Sequence, residues 1–229
     1  MLAALLALRE VRVIRVSTRV LLVAVLAIAT TSARARGAEA TFVDASLTIA
    51  ADLPEAAQRA LVQEVESIWR DAGVQIRWVN AHGADSVRTL RVVVDRRPGA
   101  PEPGGNWVVG KLLRFDDGAA MAVASIARAE LVVHAAGTGP TQVSPDAVVQ
   151  QRLGVVLGRA VAHEIGHYLL DTGAHARHGL MRASFNPREF TDLRSGTFEV
   201  DAATQRLIRQ RLGAADRTEA PLLLGRSSS

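Results

Sequence analysis

The stretch from residue 145 to 170 constrains this chain more than any other. Val148, Val149, Leu153, Val156, Leu157, Ala160, Val161 and Ile165 recur at helical spacing and cover much of the circumference. A helix apolar over so wide an arc is buried in a core and does not lie along a surface. Pro145 suits the first helical position and Ser144 the cap before it. The rest of the fold must therefore wrap this helix. With 229 residues, 48% of them apolar, the chain has enough length and apolar surface for one domain, or at most two. It contains no run of 18 apolar residues that would make a clear membrane span.

What wraps the helix can be read from the flanking sequence. Residues 41–50 read as a strand. Ala57, Ala60, Leu61, Val65, Ile68, Trp69 and Ala72 then mark an amphipathic helix over 53–72, with Asp52 and Glu55 as a capping box and Gly73 at its end. Strands are expected at Gln75–Val79, Thr89–Val94, Trp107–Phe115, Met121–Ile126 and Glu130–His134. A Pro/Gly-rich loop spans 96–106, a second loop spans 135–144, and a last helix is expected over 199–212. That order predicts an α+β domain with a mixed twisted sheet. Trp69, Trp78 and Trp107 fall inside these elements and are expected in the core. Asp116-Asp117-Gly118 lacks the spaced oxygens of a calcium loop and reads as a turn.

The charge is concentrated at one end. Of 27 basic and 23 acidic residues, five arginines and one glutamate lie in residues 1–35, which leaves 22 of each sign in the remainder. A neutral body gives no electrostatic footprint for nucleic acid. In residues 1–35, Arg9, Arg12, Arg15 and Arg19 precede an apolar stretch, Val20–Ala29, and then Ala33-Arg34-Ala35. This is the layout of an export signal, with an uncleaved anchor as the alternative. The expected organisation is a signal over 1–35, a single folded domain over 36–212 and a flexible polar tail over 213–229. The expected location is outside the cytoplasm, with no stable membrane insertion of the mature body.

The chemistry is concentrated near the end of the long helix, at His163-Glu164-Ile165-Gly166-His167. Helical residues four apart project from the same face on adjacent turns, so both imidazoles can reach one ion. Glu164 lies beside them, placed to act on a water and not to bind the metal itself. With no cysteine in the chain, any metal must be held by His, Asp or Glu. Two further histidines follow a turn, His175 and His178, so that four of the six histidines fall within residues 163–178. A catalytic zinc takes three protein ligands and keeps one position open; two helical histidines plus one from the turn supply that number. His82 and His134 are expected to be structural or solvated, and Tyr168 to face the core.

The run HEIGHYLLDTGAHARHGLM, residues 163–181, resembles the zinc-binding segment of the metzincin clan of endopeptidases, and of its matrixin-like branch in particular. The family pattern is HExxHxxGxxH followed by a methionine in a tight turn. The resemblance implies a zincin-type fold with a buried active-site helix and a C-terminal helix. It implies Zn2+ held by His163, His167 and His175, Glu164 as general base, and Met181 as the Met-turn residue beneath the metal. The implied activity is hydrolysis of peptide or protein substrates by a zinc-bound water, the substrate lying along an exposed strand, either Met121–Ile126 or Glu130–His134. A catalytically silent zinc protein of the same fold, or a zinc hydrolase of another class, is the alternative. The spacing departs from the family. Leu170 stands where the glycine is expected, and His175 follows His167 by eight residues instead of six. His178, Asp171 and Glu189 are the other candidates for the third ligand. Gly173 is expected to reverse the chain in a left-handed conformation.

Overall fold

The computed structural model describes residues 41–80, 89–96, 108–137, 146–194 and 196–219. Strand β1 (Thr41–Ile49) leads into helix α1 (Glu55–Asp71), followed by strands β2 (Val74–Val79), β3 (Leu90–Asp95), β4 (Gly110–Arg114) and β5 (Ala120–Ser125). Helix α2 (Ile126–Ala135), the long helix α3 (Asp146–Leu170), a short helix α4 (Pro187–Thr191), a 3-10 turn (Gly196–Phe198) and helix α5 (Ala202–Glu219) complete the chain. The fold is α+β, built on a mixed five-stranded sheet in the order β2-β1-β3-β5-β4. β1, β2, β3 and β5 run parallel, and β4 lies antiparallel to β5 at one edge.

Alternation along the strands decides which face of the sheet is covered. Val43 and Ala45 of β1, Leu90, Val92 and Val94 of β3, and Ala120, Ala122 and Ala124 of β5 are all buried. They form one core with Leu61, Val65 and Trp69 of α1 and Val156, Leu157, Val161 and Ile165 of α3. The wide apolar arc of α3 is explained by its neighbours, since it packs on α1, α2, β4 and β5 together. Two glycines set the approach of α1. A Cβ on Gly154 would lie 2.3 Å from the Ala57 carbonyl oxygen, and one on Gly158 2.8 Å from that of Leu61.

Several expected elements differ in the structure. Residues 130–134 are helical and not a strand, because the Ser125 side chain accepts from the Arg128 amide and caps α2. The turn of helix that follows buries Ile126, Ala129, Val132 and Val133, so the β-branched pair belongs to a helix face. β5 lies between β3 and β4, so neither segment expected to receive substrate is an edge; that position belongs to β4. The capping box at Asp52 does not form. Pro54 stands at the cap of α1 with no side-chain bond, and Asp52 pairs with Arg96. Helix α5 starts at Ala202, later than expected, since the Asp201 carboxylate accepts from the Ala203 and Thr204 amides. It continues through Glu219, past the expected end at Leu212. Asp116-Asp117-Gly118 is the turn of the β4–β5 hairpin, with Gly118 at φ 84. Trp69 is fully buried and Trp78 half-buried. Trp107, His82, Ser144, Pro145 and residues 1–35 lie outside the described residues. Among the described residues, no helix is long and apolar enough to cross a membrane.

Candidate metal centre

The last two turns of α3 and the segment after it bring three imidazoles together. His163, His167 and His175 each offer a ring nitrogen, and these atoms lie within 4.8 Å of one another. The His175 ring centroid is 5.4 Å from that of His163 and 4.9 Å from that of His167. This group could hold a metal ion. His178 is exposed and outside it. Glu189 instead completes the capping box of α4 with Asn186 and pairs with Arg182. Asp171 pairs with Arg114 and Arg211.

Backbone carbonyls fix the tautomers of both helical histidines. Nδ1 of His163 meets the Leu180 oxygen at 2.8 Å, and Nδ1 of His167 meets the Thr172 oxygen at 2.7 Å. A carbonyl only accepts, so each Nδ1 carries the proton and donates it, and each Nε2 is left with a bare lone pair. The two Nε2 atoms face each other at 3.0 Å. With no proton between them they repel. Burial disfavours a charged His163, whose pKa is lowered to about 4, and the His167 pKa is lowered for the same first reason. Two nitrogens bound to one tetrahedral zinc are about 3.3 Å apart, so a cation shared by these lone pairs fits both the spacing and the tautomers.

Glu164 is 7% exposed and borders β4. A Cβ on Gly110 would come within 3.1 Å of its Cγ and Oε1, so the glycine makes room for the carboxylate. Burial raises its pKa to about 7, opposed by a hydrogen bond from the Leu112 backbone. The carboxyl group therefore changes protonation near neutral pH, within a cleft of about 770 Å³. The cleft is lined by β4, by the segment from Arg182 to Pro187, and by Ala160 and His163 of α3.

The segment after α3 closes on itself. The Ala176 amide donates to the Met181 oxygen at 2.7 Å, and the Leu180 amide donates to Glu199 at 2.9 Å. Met181 is buried at 2% exposure, and its Sδ would lie 2.2 Å from a Cβ on Gly166, so the methionine packs on α3 at the residue before His167. Tyr168 packs half-buried against the core, and His134 is exposed on α2. The chain reverses at Asp171, with φ 51, and not at Gly173, whose φ is not positive. Sequence reasoning passed over Arg159, which is 2% exposed and ties α3 to Glu64 and to the backbone carbonyls of Glu189, Phe190 and Asp192. It also passed over Arg114 and Arg211. Nothing in the local pattern marks these arginines, whereas Asn186-Pro187-Arg188-Glu189 does carry a readable helix-start signal for α4. No protein-family model matches the sequence, and neither a curated protein nor a solved structure matches it.

Proposed function

We propose that this protein is an exported zinc-dependent endopeptidase of metzincin-like architecture. The observation that carries the reading is the meeting of His163, His167 and His175 beside a buried glutamate in an open cleft. Zinc bound by these three histidines would serve as a Lewis acid, acidifying a water and polarising a carbonyl. Glu164 takes the proton from the attacking water and returns it to the leaving amine, a task suited to a buried carboxylate that lines the same cleft as the three histidines. The carbonyls of Leu180 and Thr172 hold His163 and His167 in the ligating tautomer throughout.

The cleft also favours an extended substrate. β4 is an edge strand among the described residues, and it lies directly above α3. Its outward backbone groups, other than the one at Leu112 that Glu164 occupies, can pair with a peptide laid along the cleft as an added strand. Peptide or protein is therefore the proposed substrate class, and the neutral body argues against nucleic acid. Export follows from the reading of residues 1–35.

The test is metal content together with cleavage of an unstructured protein such as casein. The expected result is stoichiometric zinc and cleavage that a chelator abolishes and zinc restores. Glu164→Gln should retain the zinc and lose the cleavage. Zinc binding without cleavage by the wild type would refute the endopeptidase reading, and failure to bind zinc under metal-replete conditions would refute the metal centre.

A further inference from the structure

We infer that Asp171, clamped between Arg114 and Arg211, is a positioning residue that returns the chain so that His175 joins the two helical histidines. The inference rests on the zinc reading above. α3 ends at Leu170, and only four residues separate that end from His175. The reversal is made at Asp171, the only non-glycine residue with positive φ among the described ones. Aspartate is among the few non-glycine residues that visit this left-handed region, and it does so at a cost that fixed partners can offset.

Two guanidinium groups do so. Arg114, on edge strand β4, binds the Asp171 carboxylate at 2.7 Å through Nη1 and donates to the His167 carbonyl at 3.0 Å through Nη2. Arg211, on α5, donates to the Leu170 carbonyl at 2.7 Å through Nη1 and to the second oxygen of Asp171 through Nη2. One carboxylate thus bridges two cations, and each cation also donates to a carbonyl of the last helical turn, that of His167, which accepts from the Thr172 amide as well, and that of Leu170. Thr172, the next residue, supplies the oxygen that fixes the His167 tautomer. Moving Asp171 therefore displaces the acceptor of one ligand and the segment that carries another. The ion pairs themselves are half-exposed, so their effect falls on geometry more than on stability.

The experiment compares full-length wild type with Asp171→Ala, Arg211→Met and the double variant. Zinc affinity is measured by competition with a chromophoric chelator, the visible spectrum is recorded with cobalt in place of zinc, and melting is followed without metal. Each single variant should bind zinc about tenfold more weakly, the scale of losses at groups that orient ligands. Each should also shift the cobalt absorption, with metal-free melting within a few degrees of wild type, and the double variant should be no worse than Asp171→Ala. Arg211 lies on an exposed helix face, so its variant tests the clamp even where Asp171→Ala folds poorly. Wild-type affinity and spectrum in either single variant would overturn the inference. So would additive losses in the double variant, or weakened binding with an unchanged cobalt spectrum and a lowered metal-free melting point. A wild type that binds no zinc would defeat the zinc reading itself, which is a separate outcome.

Discussion

Replacing Gly154 by alanine sets two effects of opposite sign against each other. Gly154 sits within α3, where alanine is favoured over glycine by about 1 kcal/mol. Against this, the new Cβ would lie 2.3 Å from the Ala57 oxygen and 2.6 Å from the Ala60 Cβ. Neither neighbour is a flexible side-chain end that can swing aside, so α1 as a whole must shift. Forcing a methyl into a packed core costs about 1–3 kcal/mol, and the rigid backbone contact puts this site at the upper end. The net expectation is a loss of about 1–2 kcal/mol, or roughly 2–8 °C of melting temperature for a domain of this size. Thermal unfolding followed by circular dichroism reads the difference. Gly173→Ala is the control, because a Cβ there meets nothing within 4 Å and the backbone φ is not positive. Zinc affinity should change little, since the ligands lie more than two turns further along the helix. A Gly154→Ala protein that melts at or above the wild-type temperature would refute the close α1–α3 contact.

Other consequences follow from single residues. Arg159→Met should cost about 2–4 kcal/mol by urea unfolding, because it strips Glu64 and three backbone carbonyls, that of Phe190 fully buried, of their shared donor, and lysine should not restore it. His175→Ala should weaken zinc binding at least a hundredfold by chelator competition, whereas His178→Ala should leave it unchanged; the reverse ranking would move the third ligand. In metal-free protein the folded Glu164 pKa of about 7 lies above its ordinary 4.5, so its share of stability is full below pH 4.5 and is lost as pH rises through 7. Glu164→Gln, which cannot ionise, should therefore gain on wild type by about 2–4 kcal/mol between pH 5 and pH 8. His163 changes stability in the opposite sense between about 4 and 6.5 in both proteins, so the difference isolates the glutamate. A difference that is flat with pH would show that Glu164 is not buried as described.

The long helix, the amphipathic helix before it and most of the strands were legible because each is specified by its own periodicity. The failures were of another kind. Leu131, Val132 and Val133 have the local character of a strand, and only the serine cap and the apolar spacing from Ile126 to Val133 reveal the helix. Register was beyond reach for a similar reason. β4 is only five residues long and reads no more like an edge than β5 does, yet the antiparallel hairpin carries it outside the parallel strands. That placement decides which backbone faces the cleft.

The site divides along the same line. His163, Glu164 and His167 share one helix, so their spacing alone places them together. His175 is different, because the turn that returns it is written in three separate parts of the chain. A glycine after the helix is the usual local sign of such a reversal, and Gly173 is the obvious choice by that rule. The structure reverses instead at Asp171, a residue that enters the left-handed region unaided only at some cost. The groups that hold it, Arg114 and Arg211, stand more than 50 residues before it and 40 residues after it. A reversal held by distant charges leaves no trace in the seven residues between the second and third histidines. The altered spacing is therefore compatible with a complete three-histidine centre, and the tertiary clamp supplies the reason.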